Sequence, residues 1–121
     1  MGSGLEFNLE GVKMNKIEAL NGRTFAVKAW GESTEVIVLV SKYQEGGAPA
    51  IQLRENFDFS PFATLTVNIP EAKLEEDEIL IKGWSENEPV ADAAMKTGWF
   101  EYTGKIVPTG FAVAEVWRVL G

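Results

Sequence analysis

The clearest indication of the architecture is the segment TFAVKAWGESTEVIVLV at residues 24–40. Phe25, Val27 and Ala29 alternate with other residues, and a turn-rich stretch at residues 31–34 then precedes the wholly apolar run at residues 36–40. Alternation with a period of two is typical of a half-buried strand, and a short run that is apolar on both faces is typical of a central strand. The segment therefore predicts two successive strands, the second of them inside a sheet.

Four later segments indicate further strands. They lie around Ile51 and Leu53, at residues 63–69, at residues 79–82 and at residues 111–120. Residues 63–69 alternate most regularly, with Leu65, Val67 and Ile69 on one predicted face and Thr66 and Asn68 on the other, solvent-facing side. The amide on that second face could hydrogen-bond a neighbouring turn or a ligand, and a structural hydrogen bond is the expected role.

A helix is indicated at residues 89–97, with Pro89 in its first turn and Gly98 just past its end. Proline suits the first turn because its missing N–H has no partner there, and glycine suits the position after the last turn. Strand-like segments far outnumber this helix. The predicted fold class is therefore α+β, mainly an antiparallel sheet of five to six strands with the helix packed on a face.

The length of 121 residues is that of one domain. Residues 1–4 look tag-derived, and Met14 would make an ordinary natural start. We therefore expect a leader or tag-derived segment at residues 1–13 and a single α+β domain at residues 14–121. The alternation of Leu5, Phe7 and Leu9 leaves an extra strand open.

The composition excludes large classes of chemistry. The sequence has no cysteine and no histidine, so thiol nucleophiles, Ser-His-Asp triads and Cys/His metal sites are ruled out. It contains neither a Gly-x-x-x-x-Gly-Lys-Ser/Thr phosphate loop nor a Gly-x-Gly-x-x-Gly dinucleotide motif. We assign no catalytic residue and expect no cofactor.

The charge and hydropathy bear on partners. A net charge of −7 argues against direct binding to nucleic acid, which requires lysine and arginine to neutralise phosphates. The apolar run at residues 36–40 is far shorter than the roughly 20 residues of a membrane-spanning helix. We expect a cytoplasmic protein that contacts neither nucleic acid nor membrane.

The negative charge is concentrated at residues 71–92, which hold eight acidic and two basic residues. Such a segment creates a local negative field that suits a protein partner with a basic surface. A divalent-metal site at residues 75–78 is disfavoured because consecutive side chains diverge, and a merely solvated acidic face stays open. Trp84 is the candidate apolar anchor, since aromatic side chains are common at binding hot spots. The predicted partner-binding residues are Glu75, Glu76, Asp77, Glu78, Trp84, Glu86 and Glu88.

Aromatic residues offer a second candidate surface. Most of them are expected in the core of so small a domain, but Phe57 and Phe59 lie in a predicted loop. These two are therefore candidates for exposure.

Several motifs resemble a known family. The segment PFATLTVNIP at residues 61–70, followed by Glu86-Asn87, Thr103-Gly104 and Gly110-Phe111, is similar to the domain-of-unknown-function family numbered 4313, over about residues 24–120. The chain departs from that pattern at Ser60, where glycine is expected, and at Ala114-Glu115, where Tyr-Pro is frequent. The family has no established activity and is common in phages and bacterial mobile elements. The resemblance implies a small accessory protein that modulates host machinery, including defence systems.

Two classes of function follow. The favoured one is a non-enzymatic protein that binds a host macromolecule through its acidic surface. The alternative is a small enzyme that uses carboxylates or a divalent metal. The sequence leaves the oligomeric state open.

Overall fold

The structure is a computed structural model that describes residues 16–121. The leader predicted at residues 1–13 lies outside the described residues. A helical turn at residues 16–18 precedes the first strand. The strands and helices that follow are β1 (Thr24–Ala29), β2 (Glu32–Lys42), β3 (Pro49–Glu55), β4 (Pro61–Thr64), β5 (Glu78–Ile81), a 3-10 helix (Ser85–Asn87), α1 (Glu88–Met95), β6 (Phe100–Thr109) and β7 (Ala112–Val119).

The strands between residues 16 and 121 form two antiparallel sheets. The first sheet has the order β1-β2-β3-β4, and the second has the order β5-β7-β6. The α+β class is confirmed, and β2 lies inside the first sheet as residues 36–40 predict. The expected single sheet of five to six strands is wrong, because the described residues form seven strands in two sheets. The predicted helix is present as α1 with proline in its first turn.

Apolar side chains form two clusters. The main core joins the first sheet, α1 and one face of the second sheet, through residues such as Val36, Leu53 and Val90. The second core lies on the other face of the second sheet, around Leu80 and Val116. Side chains therefore alternate between the two cores along β5 and β7, and Ile79, Leu80 and Ile81 of β5 are all buried.

Sequence reasoning missed β6. Thr103, Gly104 and Pro108 look like turn residues, and the structure places them inside an edge strand. The register to β7 shifts between Tyr102 and Ile106, and Gly104 takes a φ of +88°, which suits a bulge. Proline is tolerated at an edge strand, where its missing N–H breaks no ladder.

The chain crosses from the first sheet to the second at residues 64–67, which we call the crossover. Leu65 N–H donates to Ile51 carbonyl oxygen at 2.9 Å, and Leu65 carbonyl oxygen accepts from Lys82 N–H at 2.8 Å. Thr66 then forms an isolated bridge with Ile81. The backbone of Leu65 thus makes hydrogen bonds both to β3 and to the residue that follows β5.

The crossover corrects the expectation for residues 63–69. The strand β4 ends at Thr64, and Thr66 is buried instead of facing solvent. Leu65 packs in the main core, whereas Val67 and Ile69 pack against the second core, so the three residues share no single face. The alternating pattern reflects a chain that passes between two cores.

Buried Thr66 makes side-chain hydrogen bonds that the sequence does not predict, whereas the expected structural hydrogen bond of the amide is made by Asn68, which donates to the Glu45 carbonyl oxygen. The Thr66 Oγ1 accepts from the Ile51 N–H at 3.0 Å and lies 2.9 Å from the Tyr43 hydroxyl. The side chain therefore replaces a backbone partner where the ladder between strands stops.

Asn87 ties the start of α1 to the crossover. It is a buried residue whose Nδ2 donates to the carbonyl oxygens of Thr64 and Lys82, at 2.8 and 2.7 Å. Asparagine at a helix start suggests a cap, yet its side chain makes no capping hydrogen bond. The Asn87 side chain instead donates hydrogen bonds to the carbonyl of Thr64, where the crossover begins, and to that of Lys82, which follows β5.

The hydrogen bond at Thr66 generates a stability prediction. Thr66→Val leaves the Ile51 N–H buried without an acceptor, which should lower the free energy of unfolding by about 1–3 kcal/mol. Thermal unfolding should show a fall in Tm of at least about 4 °C. Tyr43→Phe is the control, because it keeps the acceptor for Ile51 and should cost less. Equal Tm values for Thr66→Val and the native chain would contradict this role.

Candidate functional site

The acidic residues 71–92 run from beyond the crossover, through β5, into α1. Residues 72–77 form turns and irregular chain. Within them, Glu75 and Glu76 are exposed, while Asp77 is half-buried with its carboxylate 3.6 Å from Arg118 Nε. Leu74, which precedes them, is partly buried and packs against the second core. The segment is therefore fixed on its apolar side and presents two carboxylates to solvent.

Glu78 does not belong to the exposed surface, which corrects the sequence expectation. It begins β5, and its side chain has 0% exposure. The carboxylate accepts from Glu75 N–H at 2.9 Å and from Lys105 Nζ at 3.0 Å, and Arg118 Nη2 lies 3.8 Å away. Buried carboxylates are stable only when paired in this way. Glu78 therefore forms a structural ion pair with Lys105 and fixes the acidic segment where β5 begins.

Two opposing effects set the pKa of Glu78. Burial by itself raises the pKa, because it disfavours the charged form. The Glu75 N–H and the positive charges of Lys105 and Arg118 outweigh burial, so the pKa lies below its ordinary value of 4.5. The carboxylate is therefore charged in the folded protein at neutral pH.

The remaining predicted site residues lie around the 3-10 helix. Trp84 is half-buried and packs against the second core, so its ring is not a free anchor. Glu86 and Glu88 are exposed at the 3-10 helix and at the start of α1. Phe57 and Phe59, flagged by the sequence as loop residues, are both exposed.

Glu75 and Glu76 line a hollow with a volume of about 530 Å³. We call it the acidic hollow. Three exposed acidic residues, Glu18, Glu75 and Glu76, are among the residues that line it, together with the exposed Lys42. Its walls include the apolar residues Ile17, Val40, Ala48, Pro49, Ile69, Pro70, Ala72 and Leu74.

The wall formed by the β2–β3 turn is held in place by two contacts. Asn68 Nδ2 donates to the Glu45 carbonyl oxygen at 3.1 Å. Gly46 has a φ of +87°, and a Cβ built there would lie 3.3 Å from Pro70. Only glycine meets both demands at that position without strain. The turn is thus pressed against the chain that leaves the crossover.

The structure separates the predicted site residues. Glu75 and Glu76 line the acidic hollow, whereas Glu88 lines a second hollow of about 280 Å³ together with Asp92 and Glu115. The two hollows share no lining residue. Residues 71–92 therefore do not form the single acidic surface that the sequence predicts. Their carboxylates belong to two separate hollows, and residues distant in sequence complete each hollow.

Two further features bear on function. Within residues 16–121 no group of three or more acidic side chains converges as a metal site would require. In the same range, no helix is long and apolar enough to cross a membrane.

No protein-family model matches the chain, and no curated protein or solved structure matches it either. The resemblance to the family numbered 4313 stays a prediction.

The ion pair of Glu78 generates a prediction about pH. Because its pKa is lowered in the folded state, the carboxylate stabilises the fold above pH 4.5, and that stability is lost as the pH falls below it. Glu78→Gln removes the charge that pairs with Lys105 and Arg118, and it should lower the free energy of unfolding by about 1–3 kcal/mol at neutral pH. The loss stays within this range because both cationic side chains remain partly exposed to water. The difference from the native chain should shrink below pH 4.5.

Denaturant unfolding at several pH values measures both effects. Glu76→Gln is the control: its side chain is exposed, so stability should hardly change at any pH. A native chain and a Glu78→Gln variant that lose stability in parallel on acidification would show that Glu78 is not the linked group.

Proposed function

We propose that this chain is a non-enzymatic binding protein whose acidic hollow receives a segment of a protein partner. The segment would place an apolar side chain inside the hollow and lysine or arginine at its edge. The observation that carries the proposal is the combination of an apolar wall with three exposed carboxylates, from Glu18, Glu75 and Glu76.

The apolar wall supports binding of side chains. A volume of about 530 Å³ falls within the roughly 300–1,000 Å³ typical of ligand pockets. Burying apolar surface contributes about 25 cal/mol per Å² before the entropic costs of association. The apolar wall can therefore contribute binding affinity through burial of apolar surface alone.

The charges around the acidic hollow indicate that the partner is basic. Glu18, Glu75 and Glu76 outnumber Lys42 among the residues that line the hollow. The whole chain carries −7, so a basic protein is attracted over a distance and nucleic acid is repelled. Electrostatic complementarity of this kind raises association rates and selects partners.

The same residues support binding over the alternative of a carboxylate- or metal-dependent enzyme. Glu18, Glu75 and Glu76 are exposed to water, whereas a carboxyl group acting as general acid at neutral pH needs a dry setting that raises its pKa. The sequence also offers no histidine or cysteine to share proton or metal chemistry. We assign no catalytic role.

The biological setting of the proposal rests on the resemblance. Small accessory proteins of phages and mobile elements act in the host cytoplasm on host machinery. A module that covers the basic surface of a host protein would block whatever that surface normally binds. Inhibition of a defence system is one such outcome.

Selection from a displayed library of random peptides tests the proposal. The immobilised native chain should enrich peptides that carry an apolar residue between lysines or arginines. Glu75→Lys/Glu76→Lys should bind these peptides at least about tenfold more weakly, because it replaces attraction with repulsion at the edge. Stability should hardly change, since both side chains are exposed and the backbone N–H that Glu75 gives to Glu78 is kept.

The matched control is Glu32→Lys/Glu86→Lys, which makes the same change in net charge with two exposed residues outside both hollows. It should bind the selected peptides within about twofold of the native chain. Enrichment of uncharged or acidic peptides would contradict the proposal. Equal weakening by the two variants would show that only overall charge matters.

A further inference from the structure

The β6–β7 hairpin has an apolar face that α1 covers only in part. Antiparallel neighbours lie on the same face of a sheet, and the register pairs Tyr102 with Trp117, Ile106 with Glu115 and Pro108 with Val113. Trp117 is buried in the main core on this face. Towards the hairpin turn the same face becomes exposed.

The exposed part of this face is strongly apolar. Ile106 is 54% exposed, Val113 is 48% exposed, and Phe111 in the hairpin turn is fully exposed. All three large apolar side chains belong to the same hairpin, and exposed apolar side chains grouped on one element are typical of an interaction surface.

A groove connects this face to α1. It is the second hollow, of about 280 Å³, with Met95 of α1 on one side and Val113 and Trp117 of β7 on the other. Three carboxylates line it, those of Glu88, Asp92 and Glu115, and all three residues are exposed. We call the groove together with Ile106, Val113 and Phe111 the helix groove.

The outer edge of β6 is unsuited to strand addition. Among the described residues β6 pairs with β7 alone, so its other edge is open. Pro108 lacks an N–H, the register shifts between Tyr102 and Ile106, and Lys105 stands on the strand. These features block edge-to-edge pairing. A partner must therefore contact the face through side chains.

Charge decides between a second copy of this chain and a different partner. A symmetric dimer through the helix groove would bring the carboxylates of Glu88, Asp92 and Glu115 towards their own copies. Like charges placed together oppose association, and each chain carries −7. The occupant must carry the opposite charge.

We propose that the helix groove binds a basic amphipathic helix of a protein partner. The apolar stripe of the helix lies on Ile106, Val113 and Phe111, and its lysines or arginines face the carboxylates of Glu88, Asp92 and Glu115. A helix fits because it presents an apolar stripe and flanking charges along one line, in the helix-in-groove mode of recognition. The site shares no residue with the acidic hollow and stands apart from the function proposed there.

A synthetic helical peptide of leucine and lysine, about 14 residues or roughly four turns long, is the probe. Titration into the ¹⁵N-labelled full chain at physiological salt should shift the amide signals of α1 and of residues 106–115. Phe111→Ser/Val113→Thr should weaken binding at least about tenfold, as expected for apolar anchors of an interface. Both substituted residues are exposed and threonine keeps a β-branched side chain, so the fold should persist.

Three controls make the result decisive. Phe57→Ser removes an even more exposed aromatic, at 96%, from the β3–β4 loop and should bind like the native chain. Glu75→Lys/Glu76→Lys should bind within about twofold of the native chain, because both substituted residues lie outside the helix groove and physiological salt screens the change in net charge. A peptide of the same composition, scrambled to destroy the apolar stripe, should bind at least about tenfold more weakly.

The opposite results would overturn the inference. Shifts confined to the acidic hollow, with binding lost in Glu75→Lys/Glu76→Lys, would place the peptide there and leave the proposed function standing. Unchanged affinity for Phe111→Ser/Val113→Thr, or equal affinity for the scrambled peptide, would reduce the interaction to charge alone.

Discussion

The backbone of Leu65 is the joint between the two sheets. Its N–H donates to Ile51 in the first sheet and its carbonyl accepts from Lys82 beside the second, while the Thr66 side chain and Asn87 satisfy the neighbouring polar groups. A buried backbone group without a partner costs about 1–3 kcal/mol, so few alternative paths are open to the chain here. Leu65 itself packs in the main core, and Val67, two residues later, packs against the second core.

Both proposed binding places follow from where the chain goes after the joint. Residues 67–74 cover the second core and press Pro70 against the β2–β3 turn, which closes one side of the acidic hollow. Glu78 then anchors the segment through Lys105, so neighbouring Glu75 and Glu76 stay exposed on a fixed support. The carboxylates of one acidic stretch thus divide between structure and surface according to which side of the chain faces a core.

The sequence predicts these features unevenly. The period of two and the proline near residue 89 identify six strands and α1, because local side-chain periodicity records which face is buried. Periodicity cannot show that Leu65 and Val67 pack in different cores, so the sequence predicts one sheet where the structure has two. Periodicity also does not distinguish buried Glu78 from exposed Glu76. The burial of the Glu78 carboxylate depends on its pairing with Lys105, which is distant in sequence. The partners of the acidic residues in both hollows were missed for the same reason.

Native-state amide hydrogen exchange tests the central claim, that the joint makes the two sheets one cooperative unit. If the two sheets unfold together, the slowest amides of the first sheet, of the second sheet and of Leu65 itself should exchange with the same free energy, equal to that of global unfolding. They should respond equally to added denaturant. Exchange from β5 and β7 at a clearly lower free energy than from β2 and β3 would show instead that the second sheet opens by itself.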